Sequence, residues 1–249
     1  MTATPVQLVV GAAGSIGSAT VRRLADAGAT VVLAGRDEAA MEELAGEVGT
    51  DDVRTVDARD IAEVGALVEG VVADHGRLDG VANLAGSVLL KPAHLTTADE
   101  WADTIATNLT SAFAVVRAAA PAMRSGGGSI VLAASAAAQT GIANHEAIAA
   151  AKGGVIGLVR SAAATYGARG VRVNAVAPGL TRSKMTAKLV GNEAQAEASR
   201  QMHVLGRLGE GDDVAAAVAW LLDPATSWVT GQVIGVDGGL GQVRTRPRG

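Results

Sequence analysis

A glycine-rich segment near the start of the chain has the composition of a phosphate-binding turn. It directly follows the apolar run Val6–Val10 and contains Gly11, Gly14, Ser15, Ile16 and Gly17. Glycines allow a tight turn there and let a pyrophosphate approach the backbone N–H groups at the start of a helix. We therefore predict that these residues bind the pyrophosphate of a dinucleotide.

An arginine after the second apolar run bears on which dinucleotide is bound. The run Thr30–Ala34 is followed by Gly35, Arg36 and Asp37. An acidic residue at this place would bind the ribose hydroxyls of NAD, whereas a guanidinium can pair with the 2′-phosphate of NADP. This chemistry favours NADP(H) over NAD(H). NAD(H) stays open, because Arg36 could instead be a surface residue paired with Asp37.

A helical pattern later in the chain brings a histidine and a lysine towards one face. At 100° per residue, His145 and Lys152 point within about 20° of each other, and Ile148 lies about 40° from Lys152. Imidazole titrates near neutral pH, so His145 could act as a general acid or base. The alternative is a solvent-facing polar residue in the first helical turn.

The pattern of apolar runs predicts the fold that positions these residues. Of the 249 residues, 49% are hydrophobic and only 2% are aromatic, which suits parallel strands buried on both faces. Alternating strand and helix patterns predict one α/β domain over residues 1–249, a doubly wound parallel sheet with helices on both faces. The predicted strands are Val6–Val10, Thr30–Ala34, Val53–Val56, Leu78–Asn83, Ser129–Ala133, Val171–Val176 and Gln232–Val236. The predicted helices are Ser15–Ala27, Glu38–Val48, Ala62–His75, Ala98–Met123, Asn144–Tyr166 and Asp212–Leu222.

Residues 181–205 are polar, weakly patterned and too long for an ordinary connection. We expect them to cover a substrate site, with Met185 among the apolar side chains that contact the substrate. His203 also lies in this segment, where we expect it at the surface, with a contact to the substrate as the alternative. Residues 241–249 are expected to form a flexible tail.

Charge and composition argue against several classes of function. The net charge is −4 and cysteine is absent, so we expect no nucleic-acid partner, disulfide or thiolate metal site. The one basic cluster, Arg244, Arg246 and Arg248, is interpreted as a solvated end. No apolar run reaches the ~18 residues of a membrane span and no signal peptide is evident, so we expect a cytoplasmic protein without membrane contact.

From about residue 5 to residue 240 the order of these segments resembles the short-chain dehydrogenase/reductase family. The glycine-rich turn is similar to that family's, with Ser15 where a glycine is usual. Further positions similar to the family's cofactor-binding motifs are Asp57 and Ala58; Asn83, Ala85 and Gly86; and Pro178, Gly179 and Ser183.

The resemblance also implies catalytic roles. Asn108 matches the asparagine that holds a helix bend and a relay water, and Ser135 matches the serine that hydrogen-bonds the substrate oxygen. Lys152 matches the lysine that holds the nicotinamide ribose. Ile148 follows Ser135 by 13 residues, as the family's tyrosine does, and so stands in place of the usual proton donor. The only tyrosine, Tyr166, is about five helical turns beyond it.

The resemblance therefore implies an atypical NADP(H)-dependent oxidoreductase that forms a homotetramer or homodimer. It would transfer hydride to or from a small, largely apolar carbonyl, quinone or imine, with Ser135, His145, Ile148 and Met185 near the substrate. His145 could replace the missing acid, or the acceptor could need none. The alternatives are a catalytically weak NADP(H)-binding sensor or scaffold, and a lyase or isomerase in which the cofactor is structural.

Overall fold

A central parallel sheet organises the molecule. The computed structural model describes residues 4–123 and 126–243. The strands run in the order β3-β2-β1-β4-β5-β6-β7, and every neighbouring pair is parallel. They are β1 (Val6–Val10), β2 (Thr30–Gly35), β3 (Val53–Thr55), β4 (Gly80–Asn83), β5 (Gly128–Ala133), β6 (Val171–Pro178) and β7 (Val233–Val236). The prediction of a doubly wound parallel sheet is confirmed.

Helices cover both faces of the sheet. They are α1 (Ser15–Asp26), α2 (Glu38–Val48), α3 (Ile61–His75), α4 (Ala98–Ile105), α5 (Ser111–Ala122), α6 (Glu146–Tyr166), α7 (Ala187–Val190), α8 (Glu193–Met202) and α9 (Gly211–Leu222). On one face, α1, α2 and α9 pack with side chains such as Val21, Met41 and Val218. On the other, α3, α5 and α6 contribute residues such as Val64 and Val155. Because the connections after the strands start at one edge of the sheet, the predicted site residues gather there.

The single helix predicted over Ala98–Met123 is wrong. A π-helical turn at Ala106–Thr110 separates α4 from α5. Asn108 lies in this turn and is buried, and its Nδ2 donates to the Thr104 carbonyl at 3.0 Å. Its Oδ1 accepts from the Ser87 N–H at 3.2 Å, so a contact outside the helix stabilises the interruption. Such turns are frequent at functional sites.

The helix predicted to begin at Asn144 begins two residues later, at Glu146. Asn144 has a positive φ of 63°, and His145 is the N-cap residue with φ −113° and ψ 15°. The long helix α6 and the turn after it, Glu146–Arg169, are long and apolar enough to cross a membrane by composition alone. Buried residues of α6 instead pack against the sheet, as in the core helix of a globular domain.

Segment 181–205 contains helices that its weak pattern did not predict. In α8 only Ala196 and Ser199 are buried, and such small residues leave little apolar periodicity. The expectation of a surface position for His203 is also wrong, because this side chain is only 3% exposed.

Part of the predicted tail is hydrogen-bonded. The Gly241 N–H donates to the Asp237 carboxylate at 2.8 Å, and the Val243 N–H donates to the Gly239 carbonyl at 3.1 Å. Residues 244–249, with the three tail arginines, lie outside the described residues.

Candidate active site

The glycine-rich turn presents unfilled backbone donors at the start of α1. Gly11 has a φ of 82°, and a Cβ added to it would lie 2.7 Å from the Ala85 nitrogen, so only glycine fits. Gly14 is the N-cap residue, and Ser15, Ile16 and Gly17 open the helix. No side chain caps α1 and no acidic residue lies in its first turn. This end of the helix is therefore suited to an anion such as a pyrophosphate.

Arg36 projects from the end of β2 at the same edge of the sheet. Its side chain is exposed, and it forms no ion pair within residues 4–123 and 126–243. The alternative pairing with Asp37 is not seen, because that carboxylate caps α2 by accepting the Ala40 N–H at 3.2 Å. The guanidinium is thus available to an anionic ligand beside β2.

Asp57 and Ala58 follow β3 in the neighbouring loop, where Ala58 is buried. Arg59 holds the Asp57 carboxylate through Nε at 2.9 Å and through its terminal nitrogen at 2.6 Å. These hydrogen bonds, with smaller effects of nearby charge, lower the pKa of Asp57 to about 2. Arg59 also pairs at 3.0 Å with Asp103 on α4. The sequence pattern does not indicate the pairing of Arg59 with Asp103, because only the fold brings α4 to this loop.

The loop after β4 brings two predicted catalytic residues together. The Asn83 side chain accepts the Ala85 N–H at 3.2 Å and donates to the Ser111 hydroxyl at 3.2 Å, which shapes the loop. A Cβ added to Gly86 would lie 3.1 Å from Asn108 Oδ1 and 3.7 Å from Lys152 Nζ. Asn108 and Lys152 therefore face the same point of this loop.

Lys152 is a buried cation on α6. Its Nζ donates to the Ala133 carbonyl at 2.7 Å, and the residue is 6% exposed. Burial lowers its pKa from the usual 10.5 to about 8. It forms no ion pair in the described part of the chain, so a polar ligand could satisfy its other N–H groups.

Ser135 and Ile148 are the two predicted site residues nearest to the contact between Lys152 and Ala133 in the sequence. Ser135 follows Ala133 by two residues, and Ile148 precedes Lys152 by four. Ser135 follows β5, and its Oγ accepts the Ala137 N–H at 3.2 Å, which leaves the hydroxyl proton free to donate elsewhere. Ile148 is one helical turn before Lys152 on α6 and is only 4% exposed. Its apolar side chain therefore belongs to the buried wall of this region.

His145 is placed differently from the prediction that it shares the helical face of Lys152. Since it precedes α6 and has non-helical angles, the angular extrapolation along the helix does not apply. Its Nδ1 lies 2.7 Å from the Ala143 carbonyl, which requires the ring proton on Nδ1. The ring is half-buried, and its Nε2 has no other role in this contact, so it is open to another partner.

The loop after β6 continues the same edge. It contains Gly179 and Ser183, and Pro178 ends the strand. Ser183 Oγ lies 3.0 Å from Thr186 Oγ1, whereas Met185 is 51% exposed. The loop pairs with a second connection through a parallel bridge between Thr181 and Gly209.

His203 joins the end of α8 to this loop, a contact that the sequence did not indicate. The Leu180 N–H donates to Nε2 at 3.2 Å, and Nδ1 lies 2.6 Å from the Ser199 carbonyl. Both ring nitrogens are thereby used within the protein. His203 is consequently a structural residue at the base of segment 181–205.

No group of three or more metal-ligating side chains occurs among residues 4–123 and 126–243. The charged and polar groups of the site are instead single residues from different loops and helices, gathered at the carboxyl edge of the sheet. This arrangement suits a dinucleotide bound across several strands.

Comparisons with known proteins agree with this geometry. Residues 11–241 match the family model described as enoyl-(acyl carrier protein) reductase. The chain is 39% identical over 240 residues to cis-4-hydroxycyclohexanecarboxylate dehydrogenase of Sinomonas cyclohexanicum, covering 94% of this chain and 95% of the relative.

Two solved structures are similar over nearly the whole chain. A short-chain type dehydrogenase/reductase from Mycobacterium ulcerans matches with a TM-score of 0.91 and 33% identity, covering 98% of this chain and 92% of that chain. A variant of actinorhodin polyketide ketoreductase, solved with NADPH, matches with a TM-score of 0.89 and 30% identity, covering 98% of this chain and 100% of that chain.

Proposed function

The chain belongs to the short-chain dehydrogenase/reductase family, and we propose that it is an NADP(H)-dependent oxidoreductase with an atypical proton donor. Its substrate is a small, largely apolar carbonyl, quinone or imine that gains or loses a hydride. The observation that carries this proposal is the convergence of Asn108 and Lys152 on the loop at Gly86, at the edge where α1 leaves its first N–H groups uncapped.

The preference for NADP(H) rests on Arg36. Its exposed guanidinium has no ion-pair partner in the described residues and follows β2, where the 2′-phosphate of NADP would lie. A guanidinium binds phosphate through charge-assisted hydrogen bonds, and β2 offers no carboxylate for a ribose hydroxyl. The NADPH in the actinorhodin ketoreductase structure supports the same assignment.

Each residue of the site has a proposed task. When bound, the reduced nicotinamide would supply the hydride. The first turn of α1 would bind the pyrophosphate, and Lys152 would hold a ribose hydroxyl through an N–H that Ala133 does not use. Ser135 would donate a hydrogen bond from its hydroxyl to the substrate oxygen, while Ile148 would exclude water on the apolar side.

Proton supply is the atypical step. A ketone that accepts a hydride becomes an alkoxide, and a positioned general acid typically contributes ~10²–10⁴-fold at this point. Isoleucine cannot supply that proton. We propose either that His145 supplies it or that the acceptor is a quinone or iminium ion, whose reduction needs no acid from the protein.

A catalytically weak NADP(H)-binding sensor or scaffold is the second candidate, and Ile148 is the observation that favours it. The retained Asn108 and Ser135 argue for an enzyme, because a pure binder has less need of them. A lyase or isomerase with a structural cofactor would convert substrate without a net change in cofactor absorbance.

Assembly into a homodimer or homotetramer is proposed from family membership and from exposed apolar side chains. Leu95, Trp101 and Phe113, on and near α4 and α5, are each about half exposed. Burial of such side chains against a second copy would be favourable. Sedimentation showing only monomer would contradict this assembly.

The experiment that tests the function follows NADPH absorbance with a panel of ketones, quinones and cyclic iminium ions. Wild type and His145→Ala are compared side by side. Turnover by the wild type confirms the oxidoreductase, and its loss in the variant assigns the acid to His145. NADPH binding without turnover of any acceptor class would contradict the oxidoreductase proposal and favour the sensor.

A further inference from the structure

Ser15 makes a side-chain contact that the glycine usual at this position of the family could not make. Its Oγ donates to the Arg182 carbonyl at 3.0 Å, across 167 positions of sequence. Ser15 opens α1, whereas Arg182 lies in the loop after β6. The hydroxyl thus joins the glycine-rich turn to the start of segment 181–205.

The surroundings of Ser15 are closely packed. A Cβ added to Gly211, the first residue of α9, would lie 2.3 Å from the Ser15 carbonyl oxygen and 2.6 Å from Ser15 Oγ. The start of α9 therefore packs directly on Ser15. This packing limits the space open to the hydroxyl on the side that faces α9.

Arg182 is tied to the same neighbours. Its N–H donates to the Gly209 carbonyl at 2.8 Å, and its Nε pairs with Glu210 at 3.2 Å. Thr186 Oγ1 donates to the Thr181 carbonyl at 2.7 Å, so the next turn of the chain follows the position of residues 181–182. A displacement at Arg182 would therefore be passed to the start of segment 181–205.

The two ends of the segment meet at this place. Leu180 donates its N–H to His203, which fixes the end of α8. The Ser15 contact fixes the neighbouring residues to α1, so the segment is held at its base on both sides. Any dinucleotide with its pyrophosphate at α1 would lie against this base.

We propose that Ser15 is a positioning residue that fastens the base of segment 181–205 to the glycine-rich turn and thereby slows release of the bound dinucleotide. The inference rests on the proposed function for its ligand, but the contact itself exists without ligand. Loss of a hydrogen bond of ordinary net strength corresponds to about three- to tenfold faster release.

The test compares Ser15→Ala and Ser15→Gly with wild type. Ser18→Ala is the matched control, because Ser18 is one turn later in α1 and its hydroxyl donates to the Ser15 carbonyl, at 3.3 Å, rather than to segment 181–205. Hydrogen exchange of the ligand-free protein reports on residues 180–187, and stopped-flow fluorescence reports the dissociation rate of NADPH. Both Ser15 variants should exchange faster in this stretch and release NADPH about three- to tenfold faster.

Two results would be decisive against the inference. Exchange over residues 180–187 in Ser15→Ala equal to that of Ser18→Ala would overturn it, as would an unchanged NADPH dissociation rate. Failure of the wild type to bind NADPH and NADH would instead reject the proposed function. The exchange measurement would then still decide whether Ser15 holds the segment.

Discussion

Lys152 on α6 donates a 2.7 Å hydrogen bond to the carbonyl oxygen of Ala133 at the end of β5. This contact fixes the buried ammonium against the end of β5, two residues before Ser135, and Ile148 lies one turn earlier on the same helix. Burial alone shifts its pKa, and no carboxylate of the described residues compensates it. Burial of an unpaired cation at this site lowers the free energy of unfolding of the ligand-free protein.

The first prediction concerns that cost. Burial lowers the pKa of Lys152 from 10.5 to about 8, so the native state binds fewer protons than the unfolded state between these values. The free energy of unfolding of the ligand-free protein should therefore gain a contribution as pH rises through this window. From pH 7.5 to 9.5 the gain is about 2 kcal/mol. Urea unfolding of wild type and Lys152→Met at both pH values measures it.

The difference between the two proteins isolates Lys152 from other groups that titrate in this range. Lys188→Met is the control, because that lysine is exposed on α7. The free energy of unfolding of Lys188→Met should change with pH as that of the wild type does. Parallel pH dependence of wild type and Lys152→Met would show that Lys152 is not a buried cation.

The second prediction concerns the proton donor. Ile148→Tyr should place a phenol one turn before Lys152, where it can protonate an alkoxide. Ile148→Phe has nearly the same shape without the hydroxyl and serves as the control. With simple ketones, kcat of the tyrosine variant should exceed that of the phenylalanine variant by about 10²-fold or more. Steady-state kinetics with NADPH checks this, and equal rates would mean that proton transfer does not limit turnover.

The sheet could be predicted from the sequence because most strands are short, largely apolar runs bounded by turn residues. Val6–Val10, for example, is buried along its whole length and has the same bounds in the structure. The glycine-rich turn and the order of the loops follow from this alternation. The alternation also predicts that Arg36 and Ser135 each follow a strand, as they do in the structure, whereas the family resemblance identified Lys152.

Features fixed by contacts across the fold could not be predicted in this way. The π turn depends on Asn108 meeting Ser87, and α8 buries only small side chains. The helical face predicted for His145 is wrong because no pattern in the sequence shows that the helix starts at Glu146. Leu180, which donates to His203, and Arg182, which accepts from Ser15, lie on other elements, and sequence periodicity contains no information on such contacts.

The third prediction concerns His203. His203→Ala removes the donor to the Ser199 carbonyl and the acceptor of the Leu180 N–H, and it leaves a cavity. Unfolding free energy should fall by about 2 kcal/mol or more. His94→Ala, at an exposed histidine, is the control and should change stability by less than about 0.5 kcal/mol. Similar losses in both variants, measured by urea unfolding, would contradict the buried role of His203.

The fourth prediction concerns cofactor choice. Arg36→Glu replaces an exposed guanidinium at the end of β2 with a carboxylate that repels a 2′-phosphate and can accept hydrogen bonds from ribose hydroxyls. Kd for NADPH should rise by about 10- to 100-fold, whereas Kd for NADH should change by less than about threefold. Fluorescence titration measures both dissociation constants.

Arg169→Glu is the control for this prediction, because it makes the same change of charge just before β6, at the opposite edge of the sheet. It should leave both affinities unchanged, since the cofactor site lies beyond the range over which a screened charge acts. Equal losses for the two cofactors in Arg36→Glu would show that Arg36 does not recognise the 2′-phosphate, and the preference for NADP(H) would have to be abandoned.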